Sequence, residues 1–206
     1  MSLFSFCLIL FLSFSACEKP PVKFEGKYVS IDNIKWATCN VETPGTFVAQ
    51  PQDLGMLYQW NRNIGWSTTN PMENSAGGNA WNSSNAVGNF WKRTNDPCPP
   101  GWRVPTKEEC QRLAEKAKNI KQTTLNDTKG LMFTNDIGET LFLPATGYRN
   151  YNNGTLGNLD TNGYWSSTVN LSNNAFLMLF GSNLDTVVNG SGIRANGFSV
   201  RCVADE

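Results

Sequence analysis

Any chemistry in this chain must be done without histidine, because its 206 residues contain none. That removes the usual general base, the usual activator of a nucleophile and the commonest metal ligand. Beyond the N-terminal segment stand Cys39, Cys98, Cys110 and Cys202, none of them spaced as a C-x-x-C redox pair or a zinc site. In an oxidising compartment they are disulfide material, and four cysteines leave three connectivities open. Calcium takes about six to eight oxygens, several of them from neighbouring carboxylates. Here Asp96, Asp136, Glu139, Asp160 and Asp185 are scattered along the chain. The expectation is a non-enzymatic protein with no cofactor and no metal.

Binding is the chemistry that remains. Aromatic rings on loops stack on the apolar faces of sugars, and asparagine amides form hydrogen-bond forks for hydroxyls. Trp66, Trp81, Tyr148, Arg149, Tyr151 and Asn152 are the candidates for such a surface. They lie in or beside two stretches rich in Gly, Asn and Ser, residues 50–93 and 150–162. A loop region as long as the first is either functional or packed as its own subcluster. In the second case the tryptophans plug the loop onto the core. With 17 basic and 17 acidic residues, no net field points toward nucleic acid.

The elements that must position these residues centre on Asp96 to Cys110, reading D-P-C-P-P-G-W-R-V-P-T-K-E-E-C. Its prolines and Gly101 force an extended entry, and Trp102 to Val104 read as a short strand ended by Pro105. Thr106 and Glu109 form a capping box. Cys110, Leu113, Ala114 and Ala117 then mark one apolar face of a helix over about 106–118. Strands are expected at 27–31 and 34–38 with Asp32-Asn33 as their turn, at 46–49, within 56–60, and at 131–134 and 140–143. Tyr164–Thr168, Ala175–Phe180 and Leu184–Val188 should follow as antiparallel strands, the middle one buried on both faces. Phe198, Val200 and Cys202 alternate with Ser199, Arg201 and Val203, which predicts a last strand with one buried face. One dominant helix among many strands reads as an α+β architecture.

The central stretch resembles the signature of the Fibrobacter succinogenes major paralogous domain, common in Bacteroidetes surface lipoproteins. W-A-T-C-N-V from Trp36, L-F-L-P-A-T-G-Y-R from Leu141, G-Y-W-S-S-T from Gly163 and G-F-S-V-R-C-V from Gly197 match it as well. The resemblance implies a C-type-lectin-like fold with antiparallel sheets, a main helix and long loops. It also implies a Cys98–Cys202 disulfide, because both cysteines lie in its motifs. Cys39 and Cys110 depart from its pattern together, which suggests that they pair with each other. Trp36, Trp102 and Trp165 should be core, and Arg103 and Arg201 braces.

At the N-terminus an apolar run, Leu3 to Phe14, ends in F-S-A-C, and a cysteine directly after Ser15-Ala16 resembles a lipoprotein cleavage box. Residues 1–16 are therefore read as a signal peptide, 17–26 as a tether lipidated at Cys17, and 27–206 as one domain. Acyl chains on Cys17 would hold it to a membrane at about 0.8 kcal/mol per buried CH₂. The combined expectation is a protein anchored in the cell envelope, at the outer membrane, that binds a glycan or an envelope or host protein. The alternative is a structural or fimbrial-assembly component that takes no small ligand.

Overall fold

The computed structural model describes residues 28–157, 161–181 and 187–205. The expected signal peptide, tether and Cys17, and also Asp160 and Asp185, lie outside the described residues. Strands β1 (Tyr28–Ile31) and β2 (Ile34–Ala37) form the first hairpin, followed by β3 (Leu57–Gln59), β4 (Gly65–Trp66) and β5 (Trp102–Arg103). Helix α1 (Lys107–Lys116) leads to β6 (Asn119–Leu125), β7 (Thr128–Thr134) and β8 (Thr140–Pro144). The chain continues through β9 (Thr161–Asn170), β10 (Asn174–Gly181), β11 (Val187–Ile193), β12 (Gly197–Phe198) and β13 (Val203–Ala204). These pair into four small sheets, ordered β1-β2-β13-β5, β12-β3-β4, β6-β7-β8 and β11-β10-β9.

Strands account for 40% of the described residues and helix for 8%, so the α+β expectation is corrected to a mostly-β architecture. The helix is real and ends as its caps dictate. Thr106 Oγ1 accepts from Glu109 N, the Glu109 carboxylate accepts from Thr106 N, and Ala117 already lies in extended backbone. At ten residues it buries only Cys110 and Leu113, too little to form a layer of its own.

The β1–β2 turn has Asp32 at φ 52° and Asn33 at 61°, both left-handed, the type I′ geometry that suits a two-residue hairpin. The C-terminal strand β13 inserts between β2 and β5, so the end of the chain completes the first sheet. Beside it Cys98 and Cys202 are joined, as the family motifs imply, with Cα atoms 6.0 Å apart. Cys39 and Cys110 remain thiols, which corrects the second pairing. Cys110 is sealed in the core by α1 with Leu113, Trp36 and Phe133, whereas Cys39 lines a hollow with Phe47 and Val48.

Two apolar clusters share the interior. In β10 the side chains alternate between them, Met178 and Phe180 joining Trp36 and Phe133, Ala175 and Leu177 joining Trp60 and Trp165. A central strand flanked by β9 and β11 must be apolar on both faces, as its sequence indicated. Residues 197–204 are buried on both faces too, which corrects the half-exposed strand expected there. Residues 46–49 make only a bridge from Phe47 to Val41.

Candidate binding surface

The six candidate residues fall in one neighbourhood, mostly turned inward. Trp66, in β4, is 3% exposed, and its ring packs on that of Trp81 at 4.8 Å between centroids. Trp81 is half-buried and donates Nε1–H to the Tyr151 carbonyl at 2.9 Å. Its ring lies so close over Gly154 that a Cβ there would come within 2.7 Å of it, and Gly154 also has φ +70°. Glycine meets both demands at that position. Tyr148 stacks on Phe198 at 5.6 Å. Tyr151 is half-buried and Asn152 is exposed, the outer edge of this group.

Arg149 is fully buried and acts as a strut. Its Nε donates to Ser67 O at 2.8 Å, Nη1 to Gly154 O at 2.6 Å, and Nη2 to Thr69 O at 2.7 Å. One guanidinium thus ties the 67–69 loop to the 149–157 loop. Two more buried arginines do the same elsewhere. Arg201 donates from Nε and Nη2 to Asn40 Oδ1, from Nη1 to Ala37 O and from Nη2 to Phe142 O. Arg194 donates from Nη1 to the carbonyls of Ala86 and Gly88, at 3.1 and 2.9 Å, and from Nη2 to Leu171 O at 3.0 Å. Its guanidinium also lies over the Trp60 ring at 4.5 Å.

Among the described residues no carboxylate pairs with Arg149, Arg194 or Arg201. Burial lowers the pKa of each from its ordinary value, and oxygen dipoles hold the charge in place of a counter-ion. The five fixed donors of a guanidinium suit this task, since each can meet a carbonyl from a different segment. Asparagine adds to it: Asn61 Nδ2 donates to Val87 O, and its Oδ1 accepts from Lys92 N. The long region expected to be functional or packed is therefore fastened to the body by polar struts.

Among the asparagines held by these struts, several apolar side chains stand exposed. Val87 is 80% exposed, Leu171 76%, Phe90 65% and Ile64 40%. Arg194 holds the carbonyls on both sides of Val87 and that of Leu171 itself, so both side chains are carried outward on fixed backbone. Leu171 occupies the β9–β10 turn at φ 63°, a left-handed conformation that leucine rarely adopts. Two hollows flank the 85–88 segment. One, of about 420 Å³, is lined by Asn61, Arg62, Ile64, Val87 and Lys92. The other, of about 470 Å³, is lined by Val87, Val169, Leu171 and Arg194. No carboxylate lines either.

Sequence reasoning missed this surface because isolated exposed aliphatics look like core residues. One signal was available. V-N-L-S-N-N places leucine in a hairpin turn where glycine or asparagine would be expected. Elsewhere Arg103 forks onto Glu109 and braces α1, as anticipated. Among the described residues no group of three or more metal-ligating side chains gathers, and no helix is long and apolar enough to cross a membrane.

The fold is thus a mostly-β, disulfide-tied domain whose long loops are pinned by buried arginines. The chain belongs to the Fibrobacter succinogenes major domain family, whose profile matches residues 27–204. No curated protein and no solved structure matches it.

Proposed function

We propose that this is a non-enzymatic binding domain of the cell envelope, lipidated at Cys17 and held at the outer membrane, and that it takes a protein ligand on its 61–64, 85–90 and 169–173 face. The observation that carries the reading is the use made of the aromatic residues. Trp66 is buried and Trp81 half-buried, while Val87 and Leu171 stand exposed around two hollows and Phe90 is exposed close by in the chain. Grouped apolar exposure on a rigid backbone suits a protein partner. A glycan would need several rings free to stack, and on this face, among the described residues, Phe90 alone offers one. The Cys110 thiol is buried with its pKa pushed up by that burial, which gives no support to cysteine catalysis.

One observation favours glycan as a second reading: Tyr151 and Asn152 emerge beside the half-exposed edge of Trp81. The two are separated by screening the full chain on a glycan array, with and without calcium, and against envelope proteins. The substitution pair V87D/L171D is compared with W81A/N152A. Protein binding lost only in the first pair is expected. Glycan binding lost only in the second pair would overturn the reading. Palmitate labelling that disappears in Cys17→Ala tests the anchor.

A further inference from the structure

The hollow beside Val87 gathers two cations and no carboxylate. Arg93 pairs with Asp205, Arg112 with Asp32 and Arg103 with Glu109. Arg62 and Lys92, which line the hollow beside Val87, have no carboxylate partner among the described residues. Arg62 Nη2 donates to Ser84 O and Oγ, both at 3.0 Å, which aligns the guanidinium, while its Nε has no partner. The adjoining hollow is lined by Arg194, whose guanidinium is already held by backbone carbonyls, and again by no carboxylate.

We propose that this face docks an extended segment of a partner protein in which a carboxylate side chain alternates with aliphatic ones. The carboxylate sits between Arg62 and Lys92, and the aliphatic side chains lie against Val87, Phe90 and Leu171. This rests on the reading of the face as a protein site. Unpaired cations at the rim of an apolar patch select partners by sign, since a basic segment would bring like charges together in the hollow. The fixed backbone means that little ordering is needed on this side of the contact.

The test is an NMR titration of the isotopically labelled full chain with two blocked peptides, Val-Glu-Leu-Glu-Val and Val-Lys-Leu-Lys-Val. The glutamate peptide is expected to shift the amides of Arg62, Val87, Lys92 and Leu171 and to bind about tenfold tighter than the lysine peptide at low salt. The advantage should shrink as salt is raised. Lys92→Glu should reverse the preference, which a merely structural role for Lys92 would not do. Leu171→Asn should weaken both peptides at least fivefold without lowering the melting temperature. Equal binding of the two peptides at these residues overturns the charge assignment while leaving a protein site in place. Shifts at Tyr151 and Asn152 alone, or none from either peptide, overturn the docking proposal. Binding of a disaccharide at the Val87 face would count against the protein reading itself.

Discussion

Replacing Arg201 by methionine removes one charge and three kinds of contact from the middle of the fold. The guanidinium is fully buried and serves Ala37 O, Phe142 O and Asn40 Oδ1, three acceptors on residues that are themselves buried. Methionine is close in length and apolar, so packing suffers little, but those oxygens lose a donor that water cannot replace. At about 1–3 kcal/mol for each buried group left unsatisfied, the gross loss is roughly 3–9 kcal/mol. Relief from burying a cation returns several kcal/mol of that. With about 3 kcal/mol returned from the middle of that range, the expected net is a destabilisation of about 3 kcal/mol, a sizeable part of the roughly 5–15 kcal/mol that stabilises a typical domain. Urea unfolding with the disulfide intact measures it directly. A loss below about 1 kcal/mol, with the slope unchanged, would refute the view that these arginines act as struts.

Other consequences follow from single contacts. The Cys98–Cys202 bridge spans 104 residues, so C98A/C202A should cost about 4–5 kcal/mol in the chain-entropy model, read as a lower urea midpoint. Burial works to raise the pKa of Glu109, but the Arg103 fork and the Thr106 amide outweigh it and hold the carboxyl below its usual value. A lowered carboxylate pKa adds stability that is present above the unfolded value and lost as pH falls through the folded one. The gap in urea midpoint between the native chain and Glu109→Gln should therefore close as pH drops below about 4. Leu171→Asn removes a left-handed leucine, and should leave stability unchanged or raise it by about 1 kcal/mol in thermal unfolding. A clear loss there would show that Leu171 is held for packing.

Local signals in the sequence were read well where one element satisfied itself. The Asp32-Asn33 hairpin, the Thr106–Glu109 capping box and the doubly apolar β10 all appear where their residues place them. Strand β6 went unseen because Asn119–Leu125 buries no face and so carries no hydrophobic period. The α+β reading gave a ten-residue helix the weight of a layer, since its cap and stripe are strong local cues while strand pairing is nonlocal. Arg201 is the brace expected of it, whereas Arg149, expected on a binding surface, misleads. Arginine reads as a surface residue, and only the assembled fold supplies the carbonyls that make its burial stable. The Cys39–Cys110 pairing rests on their joint departure from the family pattern, and the fold gives the two different surroundings, a buried core for Cys110 and a surface hollow for Cys39.

The claim that Val87 and Leu171 form the docking face is tested most directly by photo-crosslinking in intact cells. A benzophenone side chain would be placed in turn at Val87, Leu171, Asn152 and Ile137, the last an 80% exposed aliphatic on the β7–β8 turn that serves as control. Discrete protein adducts from 87 and 171, absent from 137 and lost when Lys92→Glu is added, are the predicted result. Adducts of equal strength from 137, or from 152 alone, would contradict it.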